Sequence, residues 1–195
     1  FSSFLLQAQA SGAKVIGLAN AGLDTQNAIK QASEFGIVQS GQRLAALLFT
    51  LAEVNGLGLE AAQGLSLTES FYWNRDEASA EFGNRFMERT GVMPNMVQAG
   101  TYSAVLQYLK AVDAAGTDAT EAVSAKLHEM PVDDVFAQGG TVGANGRLYK
   151  DVYLMEVKKP GDSDIPWDYY NVLQTIPGDQ AYISPEDSGC PLVNG

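Results

Sequence analysis

Along the first fifty positions the apolar residues recur with two alternating periods. Phe1, Phe4, Leu5 and Ala8 stand at helical spacing, and Gly12 closes that run as a left-handed cap does. Val15 to Ala19 is then a short apolar stretch of the kind buried on both faces of a parallel sheet. Asn20-Ala21-Gly22 reads as a turn, and Asp24 or Thr25 is expected to cap a helix whose inward stripe is Ala28, Ile29, Ala32 and Phe35, ended by Gly36. A second apolar strand is predicted from Leu44 to Phe49. Helix, strand, helix, strand is the alternation of a parallel α/β sheet.

Thr50 to Gly58 reads as a loop and Leu59 to Gln63 as a single helical turn. They lead to Gly64–Asn74, where Leu65, Leu67 and Glu69 alternate with Ser66, Thr68 and Ser70 before three aromatics, Phe71, Tyr72 and Trp73. This stretch is read as a crossover strand between two compact units. Helical spacing returns from Asp76 to Thr90, with Phe82, Phe86 and Met87 inward. It returns again from Met96 to Ala115, with Tyr102, Val105, Leu106, Leu109 and Val112 on one face and Gly116 as the stop. Asp118 or Thr120 caps a last helix through Met130. Asn145-Gly146 marks a hairpin between Thr141-Val142 and a long arm, Leu148 to Val157, in which Tyr153, Met155 and Val157 alternate with polar or outer positions. Trp167 to Ile176 is the last predicted strand, and Pro177 to Gly195 a Pro- and Gly-rich tail.

Composition narrows the chemistry. A formal charge of −11 with a pI near 4.4 and scattered cations argues against nucleic acid and anionic membranes as partners. No apolar run approaches the roughly 20 residues of a membrane span. His128 is the only histidine, and no GxSxG elbow, HExxH, EF-hand or Walker loop occurs, so neither catalysis nor a metal or cofactor is expected. The glycines of GGTVG, Gly139, Gly140 and Gly143, precede a hairpin rather than a helix and make a poor phosphate cradle. Cys190 has no partner in the chain. A ligand cleft remains. Two parallel strands would end side by side at Asn20-Ala21-Gly22 and Phe49-Thr50, facing the crossover aromatics. Alternate residues of a strand point to opposite faces, so at least one of Phe71, Tyr72 and Trp73 is expected to line that cleft.

The blocks KVIGLANAGLDTQNAIKQASEFGI, GLEAAQGLSLTESFYW, FMERTGVMPNMVQAGTYSAVLQYLKAVDAAGT and NGRLYKDVYLMEVKKPG together resemble the type I periplasmic solute-binding proteins of ABC importers, in the leucine/isoleucine/valine-binding group. The resemblance implies an α/β fold of two Rossmann-like lobes joined by a hinge, of which this chain looks like the carboxyl-terminal portion. On that mapping 1–69 belong to the second lobe, 70–153 to the first, and 154–195 return to the second. It implies capture of a small organic acid or amino acid and delivery to ABC permease subunits, in the periplasm or on a lipid anchor outside the cell. A ligand-sensing regulator of the same fold is the alternative. Ala21 stands where branched-chain binders tend to place a tyrosine, which favours an apolar or aromatic carboxylate over an amino acid. The chain opens inside a helical pattern and reads as part of a longer protein, so open edges and apolar faces lead to the expectation of a dimer or swapped assembly.

Overall fold

The opening alternation folds as its periodicity predicts. Helix α1 (Ser2–Ala10), strand β1 (Val15–Leu18), helix α2 (Gly22–Glu34) and strand β2 (Arg43–Ala46) lead through two short helices, α3 (Leu51–Leu57) and α4 (Leu59–Ala62), into strand β3 (Ser66–Glu69). In this computed structural model, which describes residues 1–194, β1 and β2 run parallel from the Val15–Arg43 pair to Leu18–Ala46, and Ala45 pairs with Ser66 to set β3 beside them. Helix α2 turns Ala28, Ile29 and Ala32 into the core, with Phe35 half-buried, and packs on α1, α3 and α4. Its start differs from expectation. Ala21 is the extended N-cap residue, Asp24 and Thr25 lie inside the first turn, and the Thr25 hydroxyl donates to Asn20 Oδ1 at 3.1 Å, tying the loop instead of capping the helix.

Residues 50–58 are helical rather than a loop. Thr50 and Glu53 form a capping box, in which the Thr50 amide donates to Glu53 Oε2 at 2.8 Å, and this local pairing nucleates α3. Beyond β3 the chain runs through 70–76 into α5 (Glu77–Thr90), α6 (Met96–Ala115) and α7 (Thr120–Glu129), then the hairpin of β4 (Thr141–Val142) and β5 (Leu148–Tyr149). It comes back as β6 (Val152–Val157), antiparallel to β3, and ends the sheet with β7 (Tyr170–Ile176), antiparallel to β6. The five-stranded sheet therefore has the order β1-β2-β3-β6-β7. Tyr153, Met155 and Val157 face its core side. Asp76 and Asn95 cap α5 and α6 through their side chains, and Gly91 and Gly116 end them in the left-handed conformation; α7 starts from Ala119 without a side-chain cap. The last strand begins at Tyr170, because Trp167, with φ of 70°, breaks the extended run. The tail folds into α8 (Gly178–Ala181) and α9 (Pro191–Asn194), with Cys190 half-buried and its thiol in no disulfide; Gly195 lies outside the described residues.

Two sequence expectations are corrected by burial. The apolar face of α6 is not its inner one: Tyr102, Val105 and Leu109 are exposed, whereas Ala99, Ser103, Gln107 and Ala111, spaced four apart, are buried. Three of these four side chains are small and permit close approach, so the helix packs on its narrow face, with Leu106 and Val112 half-buried beside it. The crossover aromatics are all buried, with Phe71, Tyr72 and Trp73 at 1, 2 and 4% exposure. Strand alternation stops at Glu69, so the three rings leave an irregular segment in different directions: Phe71 edge-on to Phe82, Tyr72 against Tyr170, Trp73 toward Trp167. The buried cluster runs without a break from Ile16 in β1 through these rings to Phe82 in α5.

Candidate functional site

The carboxyl ends of β1 and β2 meet at one edge of the sheet, where the Leu47 amide donates to the Leu18 carbonyl at 3.1 Å. Two loops open from this point. In the first, Ala21 and Gly22 are exposed and Asn20 is half-buried, its side chain held by Thr25. In the second, the chain bends outward after Ala46, leaving Leu47 and Leu48 at 68 and 51% exposure; Leu23, at the start of α2, is 73% exposed. Sequence reasoning overlooked these three leucines. An apolar run continuing two residues beyond the strand was the available signal. Phe49, in contrast, is 1% exposed and belongs to the core, so it offers no surface to a ligand. Thr50 is buried and occupied: it anchors the capping box, and its Oγ1 accepts from Asn95 Nδ2 at 3.2 Å.

Behind these loops lies the crossover, a polar hub enclosed in the core. Asp168 Oδ1 accepts from Tyr72 Oη at 2.7 Å and Asn74 Nδ2 at 3.0 Å, and Oδ2 pairs with Lys158 Nζ at 2.6 Å. Burial alone would raise this carboxyl, but the bonds from Lys158, Asn74 and Tyr72 outweigh it and hold Asp168 below the usual carboxylate range. Burial and the Asp168 bond push the Tyr72 phenol far up, so it stays protonated and donating. Trp73 Nε1 donates to the Trp167 carbonyl at 2.8 Å. Lys150 Nζ bonds the carbonyls of Ser70 at 2.6 Å and Asp151 at 2.8 Å, over the Phe136 ring at 4.2 Å, and Gly178 sits so near Lys150 that a Cβ would come within 2.7 Å of its backbone nitrogen. Burial, reinforced by Arg75, brings the Lys150 ammonium down to about 8.

Glu69, at the end of β3, is 1% exposed and faces three donors. Oε1 accepts from the Leu51 amide at 2.8 Å and Tyr170 Oη at 2.9 Å, and Oε2 from the Met96 amide at 3.2 Å. Desolvation, with repulsion from Glu53, outweighs those donors and lifts the carboxyl to about 7.

An apolar groove of about 280 Å³ follows β1 from Phe1 and Phe4 up to Asn20. A larger hollow, about 470 Å³, opens beside Tyr149, Lys150 and Tyr182 and touches none of the strand-end loops. The strand ends are the stronger candidate, since open α/β sheets take ligands outside the carboxyl ends of their strands. Among the described residues no three His, Cys, Asp or Glu side chains gather as a metal site, and His128 is exposed, its Nδ1 3.2 Å from the Val142 carbonyl.

Comparison with known proteins adds a family. A family model described as periplasmic binding protein matches residues 1–162. A solved periplasmic binding protein from Burkholderia mallei is 52% identical over 98% of this chain and 51% of its own, with a TM-score of 0.89. A branched chain amino acid ABC transporter periplasmic ligand-binding protein from Burkholderia xenovorans is 42% identical over 99% of this chain and 52% of its own, with a TM-score of 0.92. A Rhodopseudomonas palustris ABC transporter solute binding protein in complex with 4-hydroxybenzoate, 20% identical over 92% of this chain and 49% of its own, has the same fold at a TM-score of 0.75. The chain thus spans about half the length of these structures. No curated protein matches it.

Proposed function

The chain belongs to the periplasmic binding protein family, a family of binding proteins rather than enzymes, and on that premise we propose that it is part of the substrate-binding component of an ABC transporter, capturing a small apolar or aromatic carboxylate for a membrane permease. The observation that carries the ligand class is the apolar sheet edge: Leu23, Leu47 and Leu48 stand exposed around Asn20, Ala21 and Gly22. A ligand resting there would remove leucine surface from water, at roughly 25 cal/mol per Å². An amino acid also needs a partner for its ammonium group. Of the acids near the strand ends, Glu53 is bonded in its capping box and Glu69 is enclosed, which leaves only Asp24, exposed in the first turn of α2, for that role. Asn20, Ala21 and Gly22 supply polar backbone, Thr50 supports the second loop from beneath, and Phe71, Tyr72 and Trp73 act as hinge packing.

In this reading residues 1–69 and 154–195 form one lobe and 70–153 part of the other, with the crossings after Glu69 and after Tyr153 as the hinge between them and Gly178 packed on Lys150 beside it. Family membership supports a periplasmic location, and no helix among the described residues is long and apolar enough to cross a membrane. The test is calorimetry of the full-length protein against 4-hydroxybenzoate, other benzoates, aliphatic carboxylates and leucine. Binding of carboxylates without turnover is the expected result. Binding of leucine in preference to every carboxylate would overturn the ligand class, and turnover would overturn the binding role.

A further inference from the structure

One buried group outside the strand-end site joins elements that the two-lobe reading places on opposite sides of the hinge. Glu69 receives the first amide of α3 on one oxygen and the first amide of α6 on the other. The helix caps meet above it, Asn95 Nδ2 donating to Thr50 Oγ1 at 3.2 Å. Tyr170, from β7, completes the set by donating to the α3-side oxygen. A carboxylate has acceptor capacity for all three donors, whereas a carboxylic acid has a hydroxyl on one oxygen that favours donating. The two oxygens are unequal. Oε1 holds two donors at 2.8 and 2.9 Å, and Oε2 only one, at 3.2 Å, so a proton settles on Oε2 and displaces the α6 amide.

We propose that Glu69 is a positioning residue, a latch that in its ionised form clamps α6 against α3 and on protonation releases α6 while keeping α3 and β7. The groups facing it allow this to operate as a local event. From α3, Glu53 opposes its charge; from β7, Tyr170 is a phenol held protonated by burial and by Glu69 itself; behind that ring Tyr72 is also held protonated; and α6 begins with the uncharged Met96, Val97 and Gln98. The carboxyl's position near 7 puts both states within reach of ordinary conditions.

The test measures the separation of α3 and α6 without ligand. Spin labels at Ala52 and Asp113, both exposed, are placed in the full-length protein with Cys190→Ser, and distance distributions are recorded at about pH 5.5 and about pH 8.5, either side of the Glu69 titration. The expected result is a narrow distribution at the higher pH that is lost at the lower one, and in Glu69→Gln a broad distribution at both, because the amide NH₂ cannot accept from Met96. A distribution in the unaltered Glu69 protein that is the same at both values overturns the latch, and needs no variant that might fail to fold. A purely structural Glu69 would change melting temperature in Glu69→Gln without a pH-dependent distance, which also overturns it. The latch's meaning for capture rests on the two-lobe reading, but the two fail separately: this experiment contains no ligand, and the calorimetric panel contains no pH change.

Discussion

An enclosed carboxyl is costly unless donors meet it, and Glu69 is met by three yet still has its pKa raised from 4.5 to about 7. The sign of its contribution to stability follows from proton counting. Between pH 4.5 and about 7 the folded chain holds a proton that the unfolded chain has lost, so this group's contribution is fully present below 4.5 and disappears as pH rises through 7. The loss is on the order of 3 kcal/mol. Urea unfolding at both ends of that window is expected to show the decline, and Glu69→Gln to flatten it. Asp168 behaves oppositely, being held low by Lys158, Asn74 and Tyr72 against its burial; its contribution is present above the unfolded value and lost as pH falls through the folded one. Asp168→Asn leaves the Lys158 ammonium, half-buried and 2.6 Å away, without its counter-charge, and a loss of about 3 kcal/mol in denaturant unfolding is expected.

Among the elements, α5 sits on the crossover because of one glycine. A Cβ at Gly83 would come within 3.0 Å of Trp73 Cβ and 3.3 Å of Met93 Sδ, both buried. Gly83→Ala gains about 1 kcal/mol of helix propensity, but forcing Trp73 aside costs about 1–3 kcal/mol, so a net fall in melting temperature is expected despite the better helix former. The helices were legible from sequence wherever a stop or cap was local: α5 and α6 begin after Asp76 and Asn95 and end at Gly91 and Gly116. The inner face of α6 was not. Apolar content pointed to Tyr102, Val105 and Leu109, but the helix buries Ala99, Ser103 and Ala111 together with Gln107, since what decides is how near the neighbouring backbone comes. Helix α3 is hidden from local pattern for a different reason: it is only seven residues long and carries Asn55 and Gly56 in its second half, and its capping box of Thr50 and Glu53 offsets them.

For the whole molecule, the apolar sheet edge predicts that Leu47→Asp and Leu48→Asp weaken carboxylate binding at least about tenfold, through lost burial and an added like charge, with little change in melting temperature since both side chains are already exposed. Calorimetry and thermal unfolding together check this. The exposed stripe of α6, with Val97, Val105, Tyr108 and Leu109, predicts that the 195-residue chain by itself associates at micromolar concentrations, through a surface that costs free energy to hydrate. Sedimentation velocity showing a monomer throughout would refute it.

The helix and strand alternation of the first fifty positions, the turn at Asn20-Ala21-Gly22 and the hairpin at Asn145-Gly146 could be read from the chain alone, because each rests on residues a few positions apart. What tertiary structure decided was direction and depth. Tyr72 and Trp73 went inward because segments some hundred residues later, at Trp167, Asp168 and Tyr170, supplied partners for them, Phe71 because α5 brought Phe82 against it, and Leu47 and Leu48 turned outward because β2 ended at Ala46. Burial depends on what arrives from elsewhere in the chain, and local pattern holds no record of that.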